Sequence, residues 1–390
     1  VSRAEPTVSD VAELTSRLVR INTVNPPGNE EEAVHALAEY LDGYGLEVDI
    51  QPLAERRANL IARLRGEQEE TGLVLSGHID VVHPGESRWQ VDPFAGEVRD
   101  GRIVGRGSAD MKGGLAAMAV ALTRLAGEGF RPTRDLVLAV SAGEEVDTAG
   151  ARLLAKSRVL AGARYIVVGE PTGLDVFIAE KGVLWLRIVA HGRTAHGSMP
   201  HLGVNAVSFM AEVARRIDSI MNGIEPNEIL SMPTVSVNTI SGGVKTNVVP
   251  DRCEMEVDMR IVPGQTAEGI QATVESLLAE VREATGLAVE TEVAVLQNMP
   301  PVQTPADDPL VATTVAAARA VGRHEPRIGG VSYGTDGAVL APALGANLVI
   351  FGPGKPEQAH QPNEFVDLWE LDAAAEAYAQ IVRNMDVAVG

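Results

Sequence analysis

The 390-residue chain is long enough for two or three domains, and 45% hydrophobic with 22% charged residues is the balance of an ordinary soluble globular protein. A formal net charge of -20 excludes the basic footprint that nucleic acid or an anionic membrane surface requires. Cys253 is the only cysteine, which excludes disulfides within the chain and thiolate metal sites, so any bound metal has to be held by histidine and carboxylate.

The first residues, Val1-Ser-Arg-Ala-Glu-Pro6, show no apolar run behind a basic start. No secretory signal is therefore expected, and a reducing cytoplasm is the expected location. Val11, Leu14, Leu18 and Ile21 fall on one helical face, and Asn29 with Glu32 has the spacing of a capping box ahead of a helix carrying Val34, Leu37 and Leu41. Strands are predicted at 46–50, 60–64 and 73–76, then a glycine-opened helix at 113–126, a strand at 136–140, a short helix at 149–157 and a strand at 165–168. The purest apolar stretch, residues 115–122, is too short to span a bilayer. This alternation predicts an α/β domain with a mixed, largely parallel sheet flanked by helices, and ligand sites in such sheets lie beyond the carboxyl ends of the strands.

The texture changes near Gly182. Strand patterns at 183–190, 234–240 and 287–295, with helices at 205–220 and 266–284, surround a stretch in which Cys253, Met255, Val257 and Met259 alternate with Glu254, Glu256, Asp258 and Arg260. Clean alternation means a strand with one wet face, as in antiparallel sheets. The order β-α-β-β-α-β describes an inserted α+β, ferredoxin-like domain. The expected division is residues 1–181 and 297–390 for the α/β domain and 182–296 for the insertion.

Several strand ends in the α/β part carry chemistry. The run Leu73-Val-Leu-Ser-Gly-His78-Ile-Asp80 closes on a His and an Asp whose side chains share one side of an extended chain. A carboxylate there suits the second ring nitrogen of a metal-binding histidine. The Gly-rich segment Gly105-Arg-Gly-Ser-Ala-Asp110-Met-Lys-Gly-Gly114 lacks phosphate-loop spacing and leaves Asp110 ahead of a helix. Ala139-Val-Ser-Ala-Gly-Glu144-Glu145 ends a strand on two adjacent acids, which repel unless something compensates them. Glu170 follows the 165–168 strand, and His360 lies in a loop after a strand at 347–351. Taken singly, each is as readily an ordinary polar loop residue. Together they offer two imidazoles and several acids where the sheet converges, a ligand set for two divalent ions with zinc first among them.

These five segments, in this order, resemble the dinuclear zinc peptidase and deacylase family that contains acetylornithine deacetylase, succinyl-diaminopimelate desuccinylase, aminoacylase and glutamate carboxypeptidase. The resemblance covers nearly the whole chain. It implies that Asp110 bridges two metal ions, that His78 and Glu170 complete one and that Glu145 with His360 completes the other. Zinc is the implied metal, with cobalt or manganese able to substitute. It further implies Asp80 as the partner of His78, a cis peptide between Asp110 and Met111, and Glu144 as the general base acting on a water between the metals. His196, in Gly192-Arg-Thr-Ala-His196-Gly, is implied to reach the partner's active site across a homodimer built by the inserted lid domain. Asn247 and Arg260 resemble contacts to the oxyanion or to a substrate carboxylate, although Arg260 has three acids on its own strand face to relieve. Gly334 and Thr335, in the Gly329–Gly337 loop, are candidates for an anionic substrate end.

The implied activity is hydrolysis of a linear amide in an N-acyl amino acid or at a C-terminal residue, with no nucleic acid or membrane partner. A dipeptidase or aminopeptidase of the same family is the alternative, and Glu170, where that branch often has Asp, favours the deacylase or carboxypeptidase side. An inactive binding or scaffold protein on the same fold is the alternative of another class. Desuccinylases usually follow the loop Asp-Gly with an Arg, whereas Ala338 follows Asp336-Gly337 here.

Overall fold

In the computed structural model, which describes residues 9 to 389, the helix Asp10–Val19 opens with Ser9 accepting a hydrogen bond from the Ala12 amide and buries Val11, Leu14 and Leu18. The helix Glu30–Leu41 follows without the expected capping box. Asn29 occupies the cap position, but its side-chain oxygen accepts from Arg56 Nε at 2.9 Å instead of from the helix amides.

The chain divides into two compact units. One contains the residues up to Ala179, Gln303–Gly329 and the residues from Thr335 on; the other contains Glu180–Val302 with the short return Gly330–Gly334. In the first unit the sheet runs in the order Glu47–Ala54, Arg57–Leu64, Arg134–Ser141, Gln68–His78, Tyr165–Val168, Asn347–Ile350, Val176–Glu180. The four strands from Arg134–Ser141 to Asn347–Ile350 are mutually parallel, and the outer pairings on both sides are antiparallel. The central strands are apolar almost throughout, because both of their faces are covered. Four neighbouring strands pointing the same way bring four strand ends to one place, where the ligand-bearing segments emerge.

The helix Lys112–Gly127 is buried nearly all round. Its first turn needs glycine. A Cβ on Gly113 would lie 2.4 Å from the Ser108 carbonyl oxygen, and one on Gly114 would lie 2.0 Å from that of Gly169. The glycines therefore let the helix start press against the loop before Asp110 and the turn before Glu170.

The second unit holds a four-stranded antiparallel sheet in the order Thr234–Gly242, Arg252–Ile261, Gly182–His191, Glu290–Met299. With the helices Ala206–Arg216 and Ala267–Thr285 this is the expected β-α-β-β-α-β module. Cys253, Met255, Val257 and Met259 are all buried and pack in one core with Leu184, Leu186, Ile188 and the inner faces of both helices. Among the described residues, no helix is long and apolar enough to cross a membrane.

Candidate metal centre

Each predicted ligand follows one of the parallel strands or sits against their ends. His78 is the last residue of Gln68–His78; Glu144 and Glu145 turn away after Arg134–Ser141; Glu170 follows Tyr165–Val168; and His360 lies beyond Asn347–Ile350. Asp110 enters from the side, just before the helix Lys112–Gly127, across an Asp110-Met111 peptide that is cis as expected.

The side chains converge in two overlapping groups. His78 Nε2 lies 3.2 Å from Asp110 Oδ1 and 3.5 Å from Glu170 Oε1. His360 Nε2 lies 3.4 Å from Asp110 Oδ2 and 3.1 Å from Glu145 Oε2. One oxygen of Asp110 thus faces each imidazole, and each trio can bring its ligand atoms within 4.8 Å of one another. Mixed nitrogen and carboxylate donors of this kind suit a first-row divalent ion. Glu145 Oε1 is buried without a hydrogen-bond partner among the described residues, so that carboxylate still has an acceptor for a cation to use. On these grounds the residues fit two divalent ions.

Electrostatics tells the same story from the side of the protons. Burial pushes Glu144 and Glu170 well above the usual carboxylate range, with neighbouring acids adding to the rise and His78 opposing it. Burial also raises Glu145, helped by the charge of Asp110. Asp110, although buried, is held low by hydrogen bonds from His360 and His78. His360 is raised to about 10 by its hydrogen bonds to Asp110 and Glu145, and His78 is raised by Glu170 and Asp110 in spite of its burial. Without metal, protons therefore carry the positive charge that the acids demand.

Asp80 stands beside His78 and also holds a turn. His78 Nδ1 lies 3.0 Å from the backbone carbonyl of Asp80, and the Asp80 carboxylate is 3.7 Å away. That carboxylate also accepts from the amides of Gly143 at 2.9 Å, Glu144 at 3.2 Å and Glu145 at 3.3 Å, and from Asn25 Nδ2 at 3.1 Å. The turn between the strand and the two glutamates wraps its N–H groups around a buried carboxyl group. Gly143, at φ +90°, supplies the left-handed residue that such a turn requires.

Two acids beside these ligands were not singled out from the sequence as site residues. Asp336, buried and raised to about 6 by its burial, accepts a hydrogen bond from Ser141 at the end of the strand that leads to Glu144. Glu364 is fully buried against the loop that carries Asp110. An acid in a polar loop carries no sequence mark of burial.

The remaining candidates divide between the units. His196, Asn247, Arg260 and Gly334 belong to the second, and Thr335 to the first. His196 and Val248 form an isolated bridge, the Gly197 amide donates to the Asn247 carbonyl at 2.8 Å, and His196 Nδ1 lies 2.7 Å from Ser198 Oγ. Arg260 pairs through two nitrogens with Asp258, at 2.8 and 3.0 Å, one of the acids on its own strand face. Thr335 is buried, and its hydroxyl accepts from the Gly337 amide at 3.0 Å, which makes it part of the turn into the helix Gly337–Leu344.

Comparison with known proteins decides the family. The model of "Peptidase family M20/M25/M40" matches residues 74–384. The chain belongs to this family. It is a metal-dependent hydrolase that acts on amide bonds. Acetylornithine deacetylase of Proteus mirabilis is 32% identical over 367 residues, covering 92% of this chain and 91% of that protein. A Staphylococcus aureus protein named "Probable succinyl-diaminopimelate desuccinylase" is 29% identical over 408 aligned positions, covering 95% and 97%. This family member also shares its fold with the crystal structure of a Staphylococcus aureus tripeptidase, at a TM-score of 0.79 and 24% identity over 97% of this chain and 99% of that one. A dinuclear metal binding peptidase of the same family from Bacillus subtilis superposes at a TM-score of 0.74 with 18% identity over 95% and 96%.

Proposed function

We propose that this family member is a dinuclear metal hydrolase that removes the acyl group from an N-acyl amino acid, with zinc as its metal and cobalt or manganese as substitutes. The observation that carries the reading is the pair of trios sharing Asp110, with Glu144 beside them in neither trio. His78, Asp110 and Glu170 would hold one ion and Asp110, Glu145 and His360 the other. When bound, the ions supply a polarised amide carbonyl and a water that ionises near neutral pH.

The protein's own groups do the rest. Glu144 takes the proton of the attacking water on its carboxylate and delivers it to the nitrogen of the leaving amine, so that water and amide become carboxylate and amine. Asp80 fixes the turn from which Glu144 projects. His196 donates to the developing oxyanion from the partner chain of a homodimer formed through the second unit, with Asn247 beside it. Gly334 and Thr335 border the substrate, and the single cysteine suits a reducing cytoplasm.

Similarity to acetylornithine deacetylase and to the Staphylococcus aureus protein supports a deacylase acting on a small N-acyl amino acid. Ala338, where desuccinylases usually carry Arg, favours a short uncharged acyl group. The likeness to the tripeptidase supports a second reading, an exopeptidase on short peptides. Assay of N-acetyl, N-formyl and N-succinyl amino acids beside di- and tripeptides, with zinc, cobalt or manganese added, separates them. Turnover confined to peptides refutes the deacylase reading.

A further inference from the structure

Glu364 is 0% exposed, and its hydrogen bonds come from one short loop. Its Oε1 accepts from the amides of Ala109 at 2.8 Å and Asp110 at 3.0 Å; its Oε2 accepts from the amide of Gly107 at 3.1 Å and from Arg106 Nη1 at 2.6 Å. Its backbone carbonyl accepts from the Gly105 amide at 2.9 Å. Gly105, Arg106, Gly107, Ala109 and Asp110 therefore all donate to this residue. Four positions earlier stands His360, whose ring faces the Asp110 carboxylate at 3.4 Å. The segment from His360 to Glu364 thus closes on Asp110 twice, once on its side chain and once on its amide.

We propose that Glu364 is a positioning residue of the metal centre, a clamp that holds Asp110 and His360 at the separation that one ion requires. The inference rests on the ligand set proposed above. The two oxygens of a carboxylate have acceptor sites for all four donors, each oxygen taking two. A glutamine of the same shape turns N–H groups towards two of them, and an aspartate falls short by a methylene. Either change frees the backbone of Asp110 to rotate relative to His360. Glu145, the third ligand of that ion, is held independently by Asp80. The ion between Asp110, Glu145 and His360 should therefore suffer more than the one at His78 and Glu170.

The test is zinc titration of metal-free protein by calorimetry, on the full chain and on Glu364→Gln. His360→Ala identifies the binding step that belongs to the His360 ion. Asp175→Asn serves as the stability control, because Asp175 is also buried and accepts from the Arg327 amide and guanidinium, with no ligand among its hydrogen-bond partners. Glu364→Gln should weaken the His360 step by roughly 10- to 100-fold, the usual cost of losing a partner behind a metal ligand, and leave the other step within a few-fold. Asp175→Asn should lower the melting temperature without moving either step. Equal weakening of both steps, or unchanged affinity in folded Glu364→Gln, overturns the inference. Should that variant fail to fold, the same titration of Glu364→Asp decides by the same criteria. An unmodified chain that binds fewer than two ions refutes the proposed ligand set itself, a different failure from that of the clamp.

Discussion

Replacing Glu144 and Glu145 one at a time by Gln separates a base from a ligand on adjacent residues. The amides of both residues donate to Asp80 from the backbone, so neither substitution removes a bond that shapes the turn. Glu144 belongs to neither trio, and Glu144→Gln should keep the metal content of the unmodified chain. It removes the proton carrier, which costs roughly 10²- to 10⁴-fold in rate, or about 3 to 5 kcal/mol of transition-state stabilisation. The loss should fall on kcat, with KM little changed, because proton transfer belongs to the transition state. Glu145→Gln instead removes an anionic oxygen 3.1 Å from His360 Nε2, so the ion they share should bind more weakly and excess zinc should recover part of the activity. The assay is metal content by elemental analysis beside steady-state kinetics at two zinc concentrations. If Glu144→Gln loses an ion while Glu145→Gln keeps both, the roles are exchanged. If both variants keep metal and activity, the pair is only a solvated acidic turn.

Asp80→Asn should weaken the ion held by Glu145 by roughly 10- to 100-fold and leave the ion at His78 nearly untouched, because His78 Nδ1 leans on the Asp80 backbone; the same two-step zinc titration reads this, and a loss confined to the His78 ion refutes it. Mixing inactive His196→Ala chains with inactive Glu144→Gln chains under subunit exchange should restore activity through heterodimers with one intact site, and no recovery after verified exchange places the action of His196 within its own chain. The metal-free protein should become less stable as pH rises. His360, raised from 6.5 to about 10, contributes stability that is full below 6.5 and lost as pH climbs through about 10, and the raised Glu144 and Glu170 act in the same direction above their unfolded value of 4.5. Thermal melts between pH 5 and 9 check this, and because metal competes with those protons, added zinc should flatten or reverse the trend.

Much of this was legible in the sequence, for physical reasons that differ by element. The alternation from Cys253 to Arg260 marked its strand because burial on one face of a pleated strand repeats every second residue, and the 165–168 strand agrees with Tyr165–Val168 residue for residue. The imidazoles and acids of the candidate centre stood out as a group because strand ends in a parallel sheet gather, so polar residues just past apolar runs are neighbours in space, whereas the choice of five ligands among them came from the family resemblance. The short sheet formed by Glu97–Arg99, Arg102–Val104 and Phe365–Asp367 escaped notice, since its strands are three residues long and too brief to show a period. The partners of Asp80 and Glu364 were hidden for a different reason. Hydrogen bonds between a carboxylate and backbone amides leave no trace in residue identity, because every residue but proline offers the same N–H. Asp80 was recognised by its place beside His78, yet its carboxylate serves the turn 63 to 65 residues further on.

The central claim is a dinuclear centre bridged by Asp110, and counting ions tests it most directly. Elemental analysis of the unmodified chain and of Asp110→Ala, each stripped by a chelator and then dialysed against zinc, should give two ions per chain with restored amide hydrolysis for the first, and loss of both ions and of hydrolysis for the second, since one carboxylate faces both imidazoles. Two ions retained by Asp110→Ala, or full activity in the stripped and unreconstituted chain, would contradict it.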